Sequence, residues 1–117
     1  MTHTVLVVED EEDLREMIRE ALEMSGYTVV TAAEGQAALD AIESIEHVCV
    51  VLLDLLMPGM NGWDFFAELR RRPGFKDVPV VIHTSAPDRA PSGATRVIQK
   101  PLVLARLLSL VGEFCQS

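Results

Sequence analysis

The sequence predicts an α/β fold, a parallel sheet wound in both directions with helices on each face. Three observations predict it. Short β-branched runs alternate with stretches of helical apolar spacing along the whole chain. The runs carry no polar break, as strands buried on both faces do. The 117 residues are 49% hydrophobic and 24% charged, one domain's length with an ordinary globular balance.

The elements follow in order. Thr4 to Val8 (TVLVV) reads as a first buried strand. Leu14, Met17, Ile18, Ala21 and Leu22 then recur at helical spacing, with Gly26 as the stop. Tyr27 to Thr31 (YTVVT) reads as a second strand, and Ala37, Ala38, Leu39 and Ile42 mark a second helix. Val48 to Leu53 (VCVVLL) is the most apolar strand and belongs at the centre of the sheet. Pro58, Gly59, Asn61 and Gly62 are turn residues. Trp63, Phe66 and Leu69 stripe a third helix, which ends in Arg70, Arg71 and Arg72, cations that suit its negative end. Pro79 to Thr84 (PVVIHT) reads as a fourth strand with proline at the tolerated first position. Arg96 to Gln99 (RVIQ) is a short fifth strand, and Leu104, Leu107, Leu108 and Val111 make a closing helix. Right-handed crossovers then require winding in both directions.

Composition excludes several classes. Ten Lys and Arg against eighteen Asp and Glu give a net charge of −8, which argues against direct contact with nucleic acid. The longest apolar run, Val48 to Leu53, is far too short to span a membrane. No signal-peptide pattern opens the sequence. Cys49 and Cys115 make neither a metal spacing nor a disulfide framework, so both thiols are expected reduced, in the cytoplasm. His3, His47 and His83 have no ligand spacing.

In such a sheet, ligands bind beyond the carboxyl ends of the strands. Strand one is followed by Glu9, Asp10, Glu11, Glu12 and Asp13. A helix start explains the last three, since acids favour the positive end of its dipole. It does not explain Glu9 and Asp10, which stand at the mouth of the sheet. Asp54 stands there too, after strand three. Carboxylates converging at one place repel, and a hard divalent cation such as Mg2+ removes the conflict. Strand four ends at Thr84 and Ser85, strand five at Lys100 and Pro101. A hydroxyl there can donate to an anion, and a lysine can hold a phosphate as a point charge.

These residues carry a resemblance. VVED at 7–10, LLDLLMPGMNGWDF at 52–65, the Thr84-Ser85 pair and Lys100-Pro101 resemble the receiver domain of bacterial two-component response regulators. The likeness runs from about Val5 to Phe114, so the whole chain, 1–117, is taken as one receiver domain. It implies a flavodoxin-like strand order 2-1-3-4-5. It also implies that Asp54 accepts a phosphoryl group from the phosphohistidine of a sensor kinase or histidine phosphotransfer domain. Glu9, Asp10, Asp54 and the backbone carbonyl of Leu56 would ligate Mg2+, and Lys100 would pair with the phosphoryl oxygens. Thr84 would hydrogen-bond the phosphoryl group and shift on its arrival. Counting from Pro79 favours Thr84 for that role, while Ser85 followed by Ala86 also fits the hydroxyl-then-small pattern. Pro101 would set the geometry of Lys100, through a cis bond if need be. The expected role is a signalling switch and not an enzyme, with slow loss of its own phosphoryl group and an unidentified downstream protein.

The sequence departs from its family in two places. Only nine residues, Ala86 to Ala94, join strands four and five, and Pro87, Pro91 and Gly93 oppose a helix there. Stretched, such a segment reaches ~30 Å, enough to return along a ~17 Å strand. The fourth helix is therefore expected shortened or replaced by a loop. Val97 stands where the family places an aromatic that turns inward on phosphorylation. Both departures fall on the usual output face, so an altered output through the 86–94 segment or partner contacts is expected. The alternative is a degenerate receiver that binds partners without phosphorylation. The remaining residues have plain readings: Trp63, Phe65 and Phe66 as helix packing, His83 as a satisfied strand histidine, Arg70 to Arg72 as a solvated helix end, and Met57 and Met60 as flanks of the turn.

Overall fold

The computed structural model describes residues 3–115. Five strands, β1 (Thr4–Val8), β2 (Thr28–Ala32), β3 (Val48–Asp54), β4 (Val80–Thr84) and β5 (Arg96–Gln99), form one sheet in the order β2-β1-β3-β4-β5. Every neighbouring pair is parallel. Four helices connect and close it: α1 (Glu12–Met24), α2 (Gly35–Ile42), α3 (Gly62–Arg71) and α4 (Leu104–Phe114). The predicted class, order and central place of β3 are those observed. β2 and β4 start one residue later than the sequence suggested.

Two-residue alternation sorts each strand between two apolar layers. Leu6, Val8, Val51, Leu53, Val80 and Ile82 pack with α2 and α3. Val5, Val7, Val50, Leu52, Val81 and Ile98 pack with α1 and α4. β1 is buried throughout because both its faces are covered. Glu12 and Asp13 occupy the first turn of α1, as the dipole argument expects. Glu34 caps α2 and Asn61 caps α3, each side chain accepting from backbone N–H groups of the first turn.

The fourth helix is absent, as predicted. A single 3-10 turn, Pro87–Arg89, stands in its place. The segment lies on α3 as a strap. The Trp63 indole N–H donates to the Arg89 carbonyl at 2.9 Å, and the Arg89 guanidinium stands 5.5 Å from the Trp63 ring centroid. Ala90 and Ala94 pack on the α2/α3 layer. The strap ends at Thr95, whose N–H donates to Val80 O at 2.9 Å while its Oγ1 accepts from Val80 N at 3.0 Å. A strap covers less than a helix. On β5 only Ile98 is buried, and Val97 and Gln99 are exposed.

The structure departs from the sequence-based expectation at Arg70 and at the two cysteines. Arg70 is not a solvated helix end. Its guanidinium donates to the carbonyls of Phe75 (3.1 Å) and Val78 (2.8 Å) and lies over the Phe66 ring, tying the α3–β4 connection. The thiols of Cys49 and Cys115 are not free but joined as a disulfide. Their separation of 66 residues hid a contact that only the closed sheet creates.

Candidate functional site

The site sits where β1, β3, β4 and β5 end. Glu9 follows β1 directly, and its N–H donates to Ala32 O of β2 at 3.0 Å, so the backbone holds it at the sheet's rim. Its side chain turns inward and is 3% exposed. Asp54 is the last residue of β3 and its side chain is 5% exposed. Asp10 is exposed. Glu9, Asp10 and Asp54 each bring a carboxylate oxygen within 4.8 Å of the others. Lys100 follows β5, and its N–H donates to Thr84 O at 2.9 Å. Its Nζ lies 3.5 Å from Glu9 Oε1 and 3.5 Å from Asp54 Oδ1. The peptide bond to Pro101 is cis.

Local turns hold these groups. The Asp54–Gly62 turn closes when Gly62 N–H donates to Leu55 O at 2.9 Å. A Cβ at Gly62 would stand 2.5 Å from Asp54 O and 2.6 Å from Leu55 Cα, so only glycine lets α3 begin there. Leu56, two residues past Asp54, is exposed, and its N–H points to Asp54 Oδ1 at 3.4 Å. On the other side, Glu11 N–H donates to Glu9 Oε2 at 3.1 Å, and Arg15 donates to the Glu9 carbonyl at 3.0 Å.

The electrostatics follow from burial. Desolvation raises the Glu9 carboxyl to about 7, opposed by the Glu11 N–H and assisted by the Asp54 charge. Desolvation also raises Asp54, with Lys100 pulling the other way. Two buried acids shifted upward are short of positive charge, and one ammonium does not supply enough. The donor set is hard oxygen at one spot, so the residues present fit a hard divalent cation.

Thr84 closes β4 and is buried, whereas Ser85 is exposed. Its Oγ1 accepts from Ala86 N at 3.1 Å, at the root of the strap. His83 is the residue the sequence reading undervalued. It pairs in register with Asp54, is 5% exposed, and stands with Nδ1 3.9 Å from Glu9 Oε1. Burial, then the Lys100 charge, lowers it to about 4, so it is neutral at pH 7 and no ion partner of Glu9. Its Nε2 has no hydrogen-bond partner among the described residues, so it is not a satisfied strand histidine. The available signal was one polar residue inside the apolar run PVVIHT. Trp63 was legible as α3 packing but not as the strap's anchor.

Comparison with known proteins identifies the family of the fold. The family model described as the response regulator receiver domain matches residues 5–112. A relative named probable transcriptional regulator ycf27, from Cyanophora paradoxa, is 41% identical over 86 residues, 74% of this chain and 34% of its own length. The chain spans about a third to a half of the length of the curated relatives it matches. Among solved structures, the chemotaxis protein CheY4 of Vibrio cholerae matches with TM-score 0.86 and 29% identity, covering 97% of this chain and 99% of that one. The response regulator TrrA of Thermotoga maritima, solved in complex with Mg2+ and BeF, matches with TM-score 0.83 and 28% identity, over 97% and 99% of the two chains. Residues from four strand ends thus meet at one pole of a sheet whose fold these proteins share, and the chain belongs to the response regulator receiver domains.

Proposed function

We propose that the chain is a phosphoacceptor switch that takes a phosphoryl group onto Asp54 from the phosphohistidine of a sensor kinase or phosphotransfer domain. One observation carries the reading: the buried Asp54 carboxylate is flanked by two further acids and faced by the Lys100 ammonium. An Asp54 carboxylate oxygen attacks phosphorus, the P–N bond to the donor imidazole breaks, and the imidazole leaves with the electron pair. Lys100 meets the negative charge of the transferring group. Thr84, at the end of β4, hydrogen-bonds the group once it sits on Asp54. Glu9, Asp10, Asp54 and the Leu56 carbonyl hold Mg2+ in this reading, and the complex of TrrA with Mg2+ and BeF supports it. The bound ion would neutralise charge on the phosphoryl oxygens. The switch is not an enzyme in the usual sense, and water slowly removes its own phosphoryl group.

Output passes through the strap. Drawing the Thr84 hydroxyl toward Asp54 takes it from Ala86 N–H and loosens Pro87–Arg89. The downstream partner is a protein, and the net charge of −8 supports a domain that does not itself grip a phosphate backbone. No helix among the described residues is long and apolar enough to cross a membrane. A cytoplasmic location belongs to this reading, because the phosphohistidine donors act there.

The test is incubation with Mg2+ and a small phosphodonor, followed by intact mass, with Asp54→Asn as control. A phosphoryl adduct on the wild type alone is expected, together with faster amide exchange in residues 86–100. An adduct without that exchange change would discard the strap as output. No adduct at all would leave the phosphorylation-independent binding module, which the missing fourth helix favours.

A further inference from the structure

The fold brings Cys49 and Cys115 together at the pole of the sheet opposite the acidic pocket. Cys49 is the second residue of β3 and Asp54 its last, about 17 Å along a strand. Cys115 caps α4. The two Cα atoms are 5.3 Å apart, inside the range a disulfide spans.

A local irregularity aims the pair. β1 and β3 pair Thr4 with Val48 but Val5 with Val50, so Cys49 is an extra residue on β3. Strict alternation would turn Cys49 away from Val50, toward α2 and α3. The bulge instead sets both Cys49 and Val50 in the α1/α4 layer, where Cys115 lies. Cys115 N–H donates to Val111 O at 2.8 Å, which keeps the cap on the helix. Cys115 is buried, whereas Cys49 is half-buried.

We propose that Cys49 and Cys115 are a reversible redox-modification site that exchanges with small-molecule disulfides of the glutathione class. Its oxidation state sets how firmly the last turn of α4 is fastened to the sheet. In the oxidising direction the Cys49 thiolate attacks the external disulfide, and one sulfur leaves as a thiolate. The Cys115 thiolate then attacks the Cys49 sulfur of the mixed disulfide and expels the second. Two electrons pass to the external pair, and the two protons lost by the cysteines go to the departing thiolates. Leu107, Leu110 and Val111 also bury α4 against the sheet, away from the bond. The last turn also clasps the edge strand. Arg96 is 3.1 Å from Glu113 and lies 5.5 Å over the Phe114 ring. Reduction therefore loosens residues 112–115 and β5 together.

The intact chain equilibrated in glutathione buffers of graded ratio, quenched by alkylation and weighed, tests this. The expected result is a single step from no label to two. The oxidised chain should also show amide exchange about tenfold slower at 112–115 and 96–98, with the acidic end unchanged. A Cys49→Ala, Cys115→Ala double variant should exchange like the reduced chain. Free thiols at the oxidising end, a bond that opens only on denaturation, or equal exchange in both states would each overturn the proposal.

Discussion

The Lys100 ammonium stands 3.5 Å from both Glu9 and Asp54, a single cation shared by two buried carboxylates. The sharing leaves the pocket electrostatically incomplete, and this shortfall governs how it responds to pH, to metal and to substitution.

Without a divalent cation, Glu9 costs stability as pH rises. Its folded-state value of about 7 lies above the ordinary 4.5, so its contribution is present below 4.5 and lost as pH climbs through 7. His83 works oppositely. Lowered from 6.5 to about 4, it favours the fold above 6.5 and opposes it as pH falls through 4. Added Mg2+ relieves only the Glu9 cost. Thermal melts with and without Mg2+ should show a gain at least about 4 °C larger at pH 8 than at pH 5, corresponding to about 1 kcal/mol in a domain of this size. An equal gain at both would contradict the pocket's electrostatics.

Asp54→Asn removes one buried charge and keeps the shape. Metal-free denaturation at pH 7.5 should show the variant more stable, because burial holds the ionisable Asp54 carboxyl above its ordinary range. Mg2+ titration should show weaker binding, since a ligand becomes neutral.

Gly62→Ala should be severe. The new Cβ meets backbone at 2.5 Å and 2.6 Å, and backbone at a strand end cannot yield. A loss of about 3 kcal/mol or more in chemical denaturation is expected. Gly26→Ala has open space but a φ of 96°, so it should cost only about 1 kcal/mol.

Trp63→Phe keeps an aromatic side chain, smaller than the indole, and deletes the N–H that the Arg89 carbonyl accepts. The stability loss should be about 1 kcal/mol. Hydrogen exchange should rise within 86–94 while β4 stays protected, because the strap's root at Thr84 and its end at Thr95 remain bonded.

Sequence alone determined the strands, the helices, the missing fourth helix and the acids and lysine at the strand ends, and left Thr84 and Ser85 both standing as the hydroxyl. Those features are local: apolar period, turn residues and proline act over a few neighbours, and the strand-end rule converts their order into a site. Tertiary structure decided what depends on distance. It set Lys100 between Glu9 and Asp54, left His83 Nε2 without a partner, and seated the strap on Trp63. Arg70 reads as a charge until its carbonyl partners are placed. Cys49 reads as core until a one-residue bulge turns it toward Cys115. Periodicity has no term for a partner 66 residues away, and only the closed sheet supplies one.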